Sequence, residues 1–496
     1  MARSLTGTGS ARGFFGHPPG LATLFFTEAW ERFSYYGMKA ILLYYMYDRV
    51  GEGGLGLPSD TARALVAVYG AAIYLAAIGG GWLTDRVFGT VRATLYGGVL
   101  IMCGHLCLAL PAGASALYLS MVFIVLGTGL LKPSISTSVG QLYPDGDERR
   151  DSGFTIYYTG ISAGALLAPL VVGTLGENYD YHLGFGVAAV GMAAGLVVFA
   201  RGRGRLGERG TRPENPLRWR EVPAARRRWS VAVAVTLCAA VAASALTGTL
   251  TAGLVINTIS VLAIALPVAY FAVMLRSPRT TAAERTRVLA YLPLFLAAVC
   301  FWIIQEQGAT VLAEHAQEST DLGAFGFTIP ASWFQSVGSL VLILIAPAFA
   351  VLWVRLARRE RQPSTAAKFS FGLVVAGLSY ALLVIPSLGH GLTHPLWLVA
   401  SFALVTVGEV CLSPIGMSAT TQLAPAAFAT QTMGLWIASS AAGQGISAQL
   451  VGWYSRETAP QYFGGIGLSA VVLGVLLLVA SKMYRPLRVT SATPSG

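Results

Sequence analysis

Long apolar runs recur along the whole chain and are separated by short polar loops. A transmembrane helix needs about 20 predominantly apolar residues, and fourteen runs of suitable length are present. The pattern therefore predicts an all-α polytopic membrane protein. The predicted spans are residues 21–47, 62–84, 92–113, 115–139, 152–175, 183–201, 229–249, 252–275, 288–313, 328–356, 368–388, 395–421, 428–453 and 462–483.

The spans fall into two groups of six, separated by a basic loop and a further pair of spans. Two six-span halves are typical of the major facilitator fold, in which the substrate site lies near the bilayer midplane. We expect the additional pair to face lipid, because it carries no charged residue. The predicted organisation is a six-helix bundle at 1–201, a basic loop at 202–228, two inserted helices at 229–275, a second six-helix bundle at 276–484 and a tail at 485–496.

Composition agrees with this class of protein. The chain is 54% hydrophobic and 11% charged with a mean hydropathy of +0.62, whereas soluble proteins carry about 25% charged residues. The net charge of +11 comes largely from alternate loops, such as 201–228 and 355–368. Cytoplasmic loops carry such an excess, so we expect both termini in the cytoplasm and the protein in the plasma membrane. A nucleic-acid partner would need a folded basic face, and we expect none.

The first span contains the stretch "TEAWERFSYYGMKA", which places several ionisable and aromatic side chains on one helical face. These are Glu28, Arg32, Tyr35, Tyr36 and Lys39, with Glu31 at the edge of the face. A central charge in lipid costs about 2.5–3.5 kcal/mol. One explanation is mutual neutralisation as structural glue. We favour a water-filled cavity, because Glu31 and Arg32 are sequence neighbours that would not fully face each other and Lys39 has no partner on its helix.

Other spans carry single ionisable residues that complement this stripe. Lys132 directly precedes Pro133, Glu306 lies in "CFWIIQEQGATVL", and Glu409 precedes Ser413 by one turn. A cation beside a buried carboxylate favours its charged form, while burial alone favours the protonated form. A substrate that occupies the cation would therefore change whether the carboxylate holds a proton, which is the physical basis of a proton-coupled carrier.

Several motifs resemble the proton-dependent oligopeptide transporter family of the major facilitator superfamily, in its bacterial form. "EAWERFSYYG" is similar to the first-helix signature ExxERFxYYG of that family, and the resemblance covers nearly the whole chain. The further matching stretches are "GGGWLTDRVFG" (79–89), "DERRDSGFTIYYTGISAG" (147–164), "QEQG" (305–308), "GEVCLSP" (408–414) and "WIASSAAGQGI" (436–446). The extra helical pair also fits bacterial members.

The resemblance implies symport of di- and tripeptides with protons into the cell. Arg32 and Lys132 would hold the peptide carboxylate, and Glu409 would hold the amino terminus. Tyrosine and tryptophan side chains would shape pockets that accept many side chains, since aromatic contact is broad. The resemblance assigns substrate binding to Arg32, Tyr35, Tyr36, Lys39, Tyr74, Lys132, Ser162, Gln335, Glu409, Ser413, Trp436 and Ser439.

Proton coupling would rest on Glu28, Glu31 and Glu306, together with Arg32 and Lys132. We hypothesise that Lys132 pairs with Glu306 in the empty carrier. A peptide carboxylate arriving at Lys132 would then release Glu306 to take up a proton. The resemblance also assigns the loop residues Asp85 and Arg86 to the conformational change.

Three positions depart from the family pattern and bear on substrate preference. Lys39 stands where arginine is usual, which keeps the charge and loses the bidentate fork. Ser162 replaces the usual asparagine, and Gly338 with Ser339 replaces a usual Asn-Pro pair. Both changes remove an asparagine side-chain amide, and Gln335 is a nearby substitute for the second one. Peptide length and side-chain preference therefore remain open.

Two alternatives compete with peptide transport. "GISAG" at 160–164 matches the GxSxG motif of hydrolases, but that motif needs a strand-to-helix turn, and here it lies in an apolar span. We therefore expect no enzyme activity. The stronger rival is a proton-coupled carrier of a non-peptide anion, zwitterion or drug. A small anion would not require an acid such as Glu409. We expect no metal and no cofactor besides protons, and function as a monomer in membrane lipid.

Overall fold

The computed structural model describes residues 13–144, 147, 149–207, 210–213, 216, 244, 247, 251–323, 326–389 and 391–483. These residues form thirteen long helices, numbered here in chain order. The helices are α1 Gly20–Tyr47, α2 Ser59–Leu83, α3 Thr90–Ala109, α4 Gly113–Gln141, α5 Arg150–Ala168, α6 Tyr181–Gly202, α7 Ala252–Arg276, α8 Ala282–Glu306, α9 Phe334–Arg358, α10 Thr365–Ser387, α11 Leu396–Leu423, α12 Ala429–Leu450 and α13 Ala459–Met483. The all-α prediction is confirmed over the described residues.

Each long helix corresponds to one predicted span. The predicted span at 229–249 lies outside the described residues except for Ser244 and Thr247, so the count of fourteen remains a prediction. Most of the predicted loop at 202–228 and all of the tail at 485–496 also lie outside them. Eleven helices within the described residues are long and apolar enough to cross a membrane. Two of the thirteen long helices are not among those eleven: α1, which carries the charged stripe, and α12.

Three spans change helical geometry near their ends. α2 continues into a π-helical turn at Thr84–Phe88, and α5 continues through Pro169–Gly173 into the short helix Thr174–Asn178. α8 stops at Glu306 and is followed by the short helix Val311–Ser319. Such interruptions are frequent at functional sites, and each lies beside charged residues described below.

Contacts divide the chain into two compact units. The first contains the described residues within 1–38, 76–168 and 182–217. Its core is built from apolar side chains of α1, α3, α4 and α6 that are fully buried: Leu21, Leu24, Ile101, Leu131, Ile135, Met192 and Phe199. The aliphatic side of α1 is thereby anchored within this unit.

The second unit contains the described residues within 39–75, 169–181 and 218–496. The boundary between the units therefore falls inside α1, α2 and the α5 span. Tight packing of α10 against α13 and α11 is a feature of this unit, where Gly377 approaches Gly467 and Gly372 approaches Gly408. The six-helix bundle boundaries remain a prediction.

The inserted helix α7 packs on α12 with one face. Gln449 Nε2 donates to Ser260 Oγ and to Asn257 Oδ1, both at 3.2 Å, and Gly445 lies against Ser260 and Ala263. Other positions of α7, including Val261 and Val268, are more than 60% exposed. The expectation of a lipid-facing helix therefore fits the exposed face, whereas the opposite face is buried against protein.

We predict opposite effects for alanine at two adjacent glycines of α2. A β-carbon at Gly80 would lie 1.9 Å from the Gly129 carbonyl oxygen on α4, whereas one at Gly79 would meet no atom within 4 Å. Overpacking costs about 1–3 kcal/mol, while glycine-to-alanine in a helix interior gains up to about 1 kcal/mol. Gly80→Ala should lower the melting temperature of the purified protein and Gly79→Ala should maintain or raise it. Equal melting temperatures would contradict the close approach of α2 and α4.

Candidate functional site

Arg32 lies at the centre of a buried ion cluster on α1. Its Nε is 3.2 Å from Glu28 Oε1, one turn earlier, and it donates a hydrogen bond to the carboxylate of Glu31. All three side chains are at most 5% exposed. The expectation that Glu31 and Arg32 would not face each other was wrong, because the arginine side chain is long enough to bring its guanidinium beside the neighbouring carboxylate.

Two carboxylates contact one guanidinium in this cluster, and its hydrogen bonding is incomplete. Among the described residues, Glu28 Oε2, Glu31 Oε1 and Arg32 Nη2 have no hydrogen-bond partner. A buried donor without a partner costs free energy, so the unused Arg32 donor matches a ligand carboxylate.

Residues of α4 and α5 surround the Glu28 carboxylate. Tyr157 lies beside it, and Lys132 interacts with it electrostatically. Lys132 directly precedes Pro133, which interrupts the hydrogen bonding of α4. The first unit therefore brings together three of the predicted ionisable site residues of α1 with the predicted lysine of α4.

Ser162 lies in the middle of α5, where its Oγ donates to the Tyr158 carbonyl at 3.3 Å. The glycines on either side pack against α1. A β-carbon at Gly160 would lie 3.0 Å from the Phe25 ring, and one at Gly164 would lie 2.3 Å from the Ala29 carbonyl oxygen. This stretch therefore serves close helix packing, as its small residues indicated, and has no strand-to-helix turn.

The two tyrosines of the α1 signature lie side by side. Their ring centroids are 5.2 Å apart in an edge-on arrangement, and the Arg32 guanidinium lies 5.3 Å from the Tyr35 ring centroid. Tyr35 is 7% exposed, while Tyr36 is half-buried. Asp85 and Arg86 lie apart from this group, on the exposed π-helical turn that follows α2.

Lys39 forms an ion pair with Glu306 in the second unit. Lys39 Nζ is 2.9 Å from Glu306 Oε2, and the side chains are 11% and 13% exposed. The sequence-based pairing of Glu306 with Lys132 remains a prediction, and the Lys39 contact is one that it did not include. Helical spacing on α1 cannot show which residue of another helix lies opposite. Gln335, on α9, donates to the carbonyl of the next α1 residue, Ala40, at 3.3 Å.

The Glu306 carboxylate lies at a break in its helix. A 3-10 turn, Gln307–Ala309, follows α8, and Thr310 then leaves helical geometry. The Gln307 Oε1 atom accepts hydrogen bonds from Tyr380 at 3.0 Å and from Tyr462 at 2.9 Å. These two hydrogen bonds tie the break to α10 and α13.

Glu409 accepts a hydrogen bond from Gln305 Nε2 at 2.9 Å. Ser413, one turn further along α11, has a buried Oγ without a partner among the described residues. On α12, Ser439 Oγ donates to the Trp436 carbonyl at 2.6 Å, and the Trp436 indole packs against Gly416. The second unit therefore combines an acid, an amide and an unused hydroxyl suited to an ammonium ligand.

Tyr74 contributes to packing near α7. Its ring lies against a small cluster formed by Ala71, Ala263 and Ala441. This contact places Tyr74 beside the inserted helix and α12. The proposed contribution of Tyr74 to a substrate pocket remains a prediction.

Arg63 anchors a second buried cluster at the start of α2. Its Nη1 contacts the Glu314 carboxylate, Nε donates to the Val451 carbonyl at 3.1 Å, and Nη2 donates to the Tyr454 carbonyl at 3.0 Å. Arg63 is 3% exposed. One side chain thus joins α2 to the helix after the α8 break and to the turn after α12.

Further polar contacts of the second unit lie at the same helix ends. Tyr44 and Tyr47 on α1 donate to the Ala313 carbonyl at 3.1 Å and to Gln317 Oε1 at 2.7 Å. Glu177 accepts from the backbone amides of Ala331 and Ser332 at 2.7 and 3.0 Å. Segments from the first and second halves of the sequence are thereby tied together within this unit.

The loop after α1 adds a buried carboxylate to this end. Tyr181 donates a hydrogen bond to Asp48, and partial burial raises the pKa of Asp48 above its ordinary value. Burial likewise raises the pKa of Tyr454, which lies outside the helices.

The family model PTR2, of the POT family, matches residues 91–464. The chain belongs to the POT family. It is therefore a multi-pass membrane protein of a transporter family, as its motifs indicated.

Related proteins match this POT chain over nearly their whole length. The uncharacterized transporter YclF of Bacillus subtilis (strain 168) is 52% identical over 478 residues, covering 96% of each chain. A di-/tripeptide transporter of Lactococcus lactis subsp. cremoris is 42% identical over 483 residues, covering 95% of this chain and 96% of the relative. A crystal structure of the peptide transporter POT in complex with sulfate has a TM-score of 0.92 at 53% identity. The match covers 96% of this chain and 97% of the chain in that structure.

Sequence reasoning missed the Arg63–Glu314 pair, although both residues carry a readable signal. Arg63 lies within the first turns of an apolar helix, and Glu314 lies in the amphipathic stretch "VLAEHAQES". It also missed Gln305 and Gln307, two amides on either side of Glu306. Their partners come from distant helices, so no local pattern reveals them in a POT sequence.

We predict that Glu314→Gln lowers the melting temperature of this POT protein markedly. The substitution leaves Arg63 buried without a counter-charge, and breaking a buried pair in this way costs about 3–5 kcal/mol. The matched control is Glu318→Gln, which neutralises an exposed carboxylate on the same short helix. Thermal unfolding of both purified variants tests this, and an equal shift for the two would show that the buried pair contributes little.

Proposed function

We propose that this chain is a proton-coupled symporter that imports di- and tripeptides across the plasma membrane by alternating access. The observation that carries the proposal is the Lys39–Glu306 pair, a nearly buried cation and carboxylate joined at 2.9 Å. Family membership and the named function of the Lactococcus relative support the peptide class. We also propose that both termini are cytoplasmic, that the protein functions as a monomer in lipid, and that no cofactor besides protons takes part.

A peptide offers a carboxylate at one end and an ammonium group at the other. In this proposal Arg32 and Lys132 receive the carboxylate, because Arg32 retains an unused donor. Glu409 receives the ammonium group, assisted by the Ser413 hydroxyl, which is also unused among the described residues. Gln305 holds the Glu409 carboxylate in place. The two charged poles therefore select a zwitterion rather than a simple anion.

Proton coupling follows from competition for cations. A peptide carboxylate near Lys39 weakens the contact between Lys39 and Glu306, and the released carboxylate favours its protonated form in a buried site. The cluster of Arg32 with Glu28 and Glu31 behaves similarly, since a peptide carboxylate at Arg32 competes with these two glutamates for the guanidinium. One proton crossing about 100 mV supplies about 2.3 kcal/mol, which sustains a peptide gradient of roughly 50-fold.

Alternating access requires one end of the molecule to close while the other opens. With the termini in the cytoplasm, α1 runs outward and its end at Tyr47 is extracellular. The contacts of Arg63, Glu314 and Glu177 then belong to an extracellular closure. Opening this end replaces those internal hydrogen bonds with hydrogen bonds to water. The Arg63–Glu314 ion pair therefore sets part of the free energy needed to open the extracellular end.

The primary test is uptake of labelled dialanine into proteoliposomes under an inward proton gradient. We expect accumulation that a protonophore abolishes and that dipeptides compete with, while free alanine does not. Absence of uptake by monodisperse protein would contradict the peptide assignment. Because Ser162 and Gly338 depart from the family pattern, non-peptide zwitterions would then be screened as substrates.

We predict that Glu306→Gln abolishes proton-driven accumulation and preserves peptide exchange. Glutamine retains a neutral hydrogen-bonding group beside Lys39 and cannot bind and release a proton. The two readouts are gradient-driven uptake and counterflow of labelled dialanine. Glu318→Gln is the control, and it should behave as wild type because its carboxylate is exposed. Unchanged accumulation by Glu306→Gln would exclude Glu306 from coupling.

A further inference from the structure

A cavity of about 260 Å³ lies where α1 begins and α6 ends, within the first unit. It is separate from the residues assigned to peptide and proton. Its lining consists of Ala22, Thr23, Phe26, Val198, Arg201, Gly202 and Arg205. The volume far exceeds the roughly 30 Å³ that one water occupies in the liquid, so the cavity has room for a larger polar group.

Close backbone packing holds this cavity in shape. A β-carbon at Gly202 would lie 2.3 Å from Thr23 Oγ1, and one at Gly20 would lie 2.9 Å from the Arg205 carbonyl oxygen. Leu206, which ends the 3-10 turn after α6, is buried in the core of the first unit. Arg201 and Arg205 are therefore carried on backbone that is fixed against α1.

The cavity carries positive charge that no described residue neutralises. Within the part of the chain that the structure describes, Arg201 and Arg205 have no ion-pair partner. The first turn of α1 contains no acidic residue, and the amide end of a helix adds partial positive charge. Two guanidinium groups beside a helix start form a site for a phosphate or another oxyanion.

Apart from Thr23, the rest of the lining is apolar and uncharged. Phe26 is 45% exposed, and Trp30, one turn further along α1, is 39% exposed. A free phosphate would gain nothing from this wall, whereas a phospholipid would place its glycerol and acyl chains against it. Basic pockets between transmembrane helices at the cytoplasmic side are known to bind anionic headgroups.

We propose that this cavity binds the phosphate headgroup of an anionic phospholipid. With the termini cytoplasmic, the lipid belongs to the cytoplasmic leaflet. Arg201 and Arg205 contact the phosphate oxygens, and the exposed rings of Phe26 and Trp30 contact the acyl chains. Lipid binding at this position joins the start of α1, which carries Arg32, to the end of α6.

The test is native mass spectrometry of the full-length protein with equal amounts of phosphatidylglycerol and phosphatidylcholine. We expect wild type to retain phosphatidylglycerol preferentially. A basic residue near a membrane surface is worth about fivefold in affinity, so Arg205→Gln should lower retention about fivefold and the Arg201→Gln/Arg205→Gln variant about 25-fold. Arg203→Gln is the matched control, because Arg203 belongs to the same turn and does not line the cavity.

Equal retention of phosphatidylglycerol by the double variant and by Arg203→Gln would overturn the proposal. Should the double variant aggregate, the single Arg205→Gln variant and the lipid preference of wild type still decide it. Inorganic phosphate and glycerol phosphate are added separately as competitors. Displacement of the lipid by either at equal concentration would show that the cavity recognises a free anion, and would overturn the lipid assignment.

Discussion

The cost of burying charge governs the arrangement of this protein. Charged side chains in lipid-embedded helices are expensive, and the most deeply buried ones here are held as pairs or clusters. Arg32 contacts Glu28 and Glu31, Lys39 contacts Glu306, and Arg63 contacts Glu314. A pair of this kind is stable only while both partners remain, so a ligand or proton that takes one partner alters the other. Proton coupling and closure of the extracellular end therefore both depend on the cost of leaving a buried charge unpaired.

Backbone groups impose a second constraint, because lipid offers them no hydrogen bonds. The structure satisfies them with side chains where helices are interrupted. Arg63 donates to two carbonyls after α12, and Glu177 accepts from two amides before α9. Charged residues therefore serve both as electrostatic partners and as caps. A change in one of these charges affects the local backbone as well as the ion pair.

Local patterns predicted the helices and much of the candidate site. Runs of about 20 apolar residues can satisfy their backbone only as helices, so span positions follow from composition. The α1 stripe follows from helical periodicity, and the spacing of Glu28, Arg32 and Lys39 could be read directly as one face. The GISAG stretch was also read correctly as a packing motif, since Gly160 and Gly164 lie against α1.

The sequence alone determined the class of fold, the charged face of α1 and the family resemblance, because each depends on local composition or short motifs. The tertiary structure decided the partners: Lys39 for Glu306, Gln305 for Glu409, and Arg63 for Glu314. Those choices depend on how helices distant in sequence cross, and crossing is set by packing of small residues and by helix breaks. Periodicity within one helix carries no information about which side chain of another helix lies opposite.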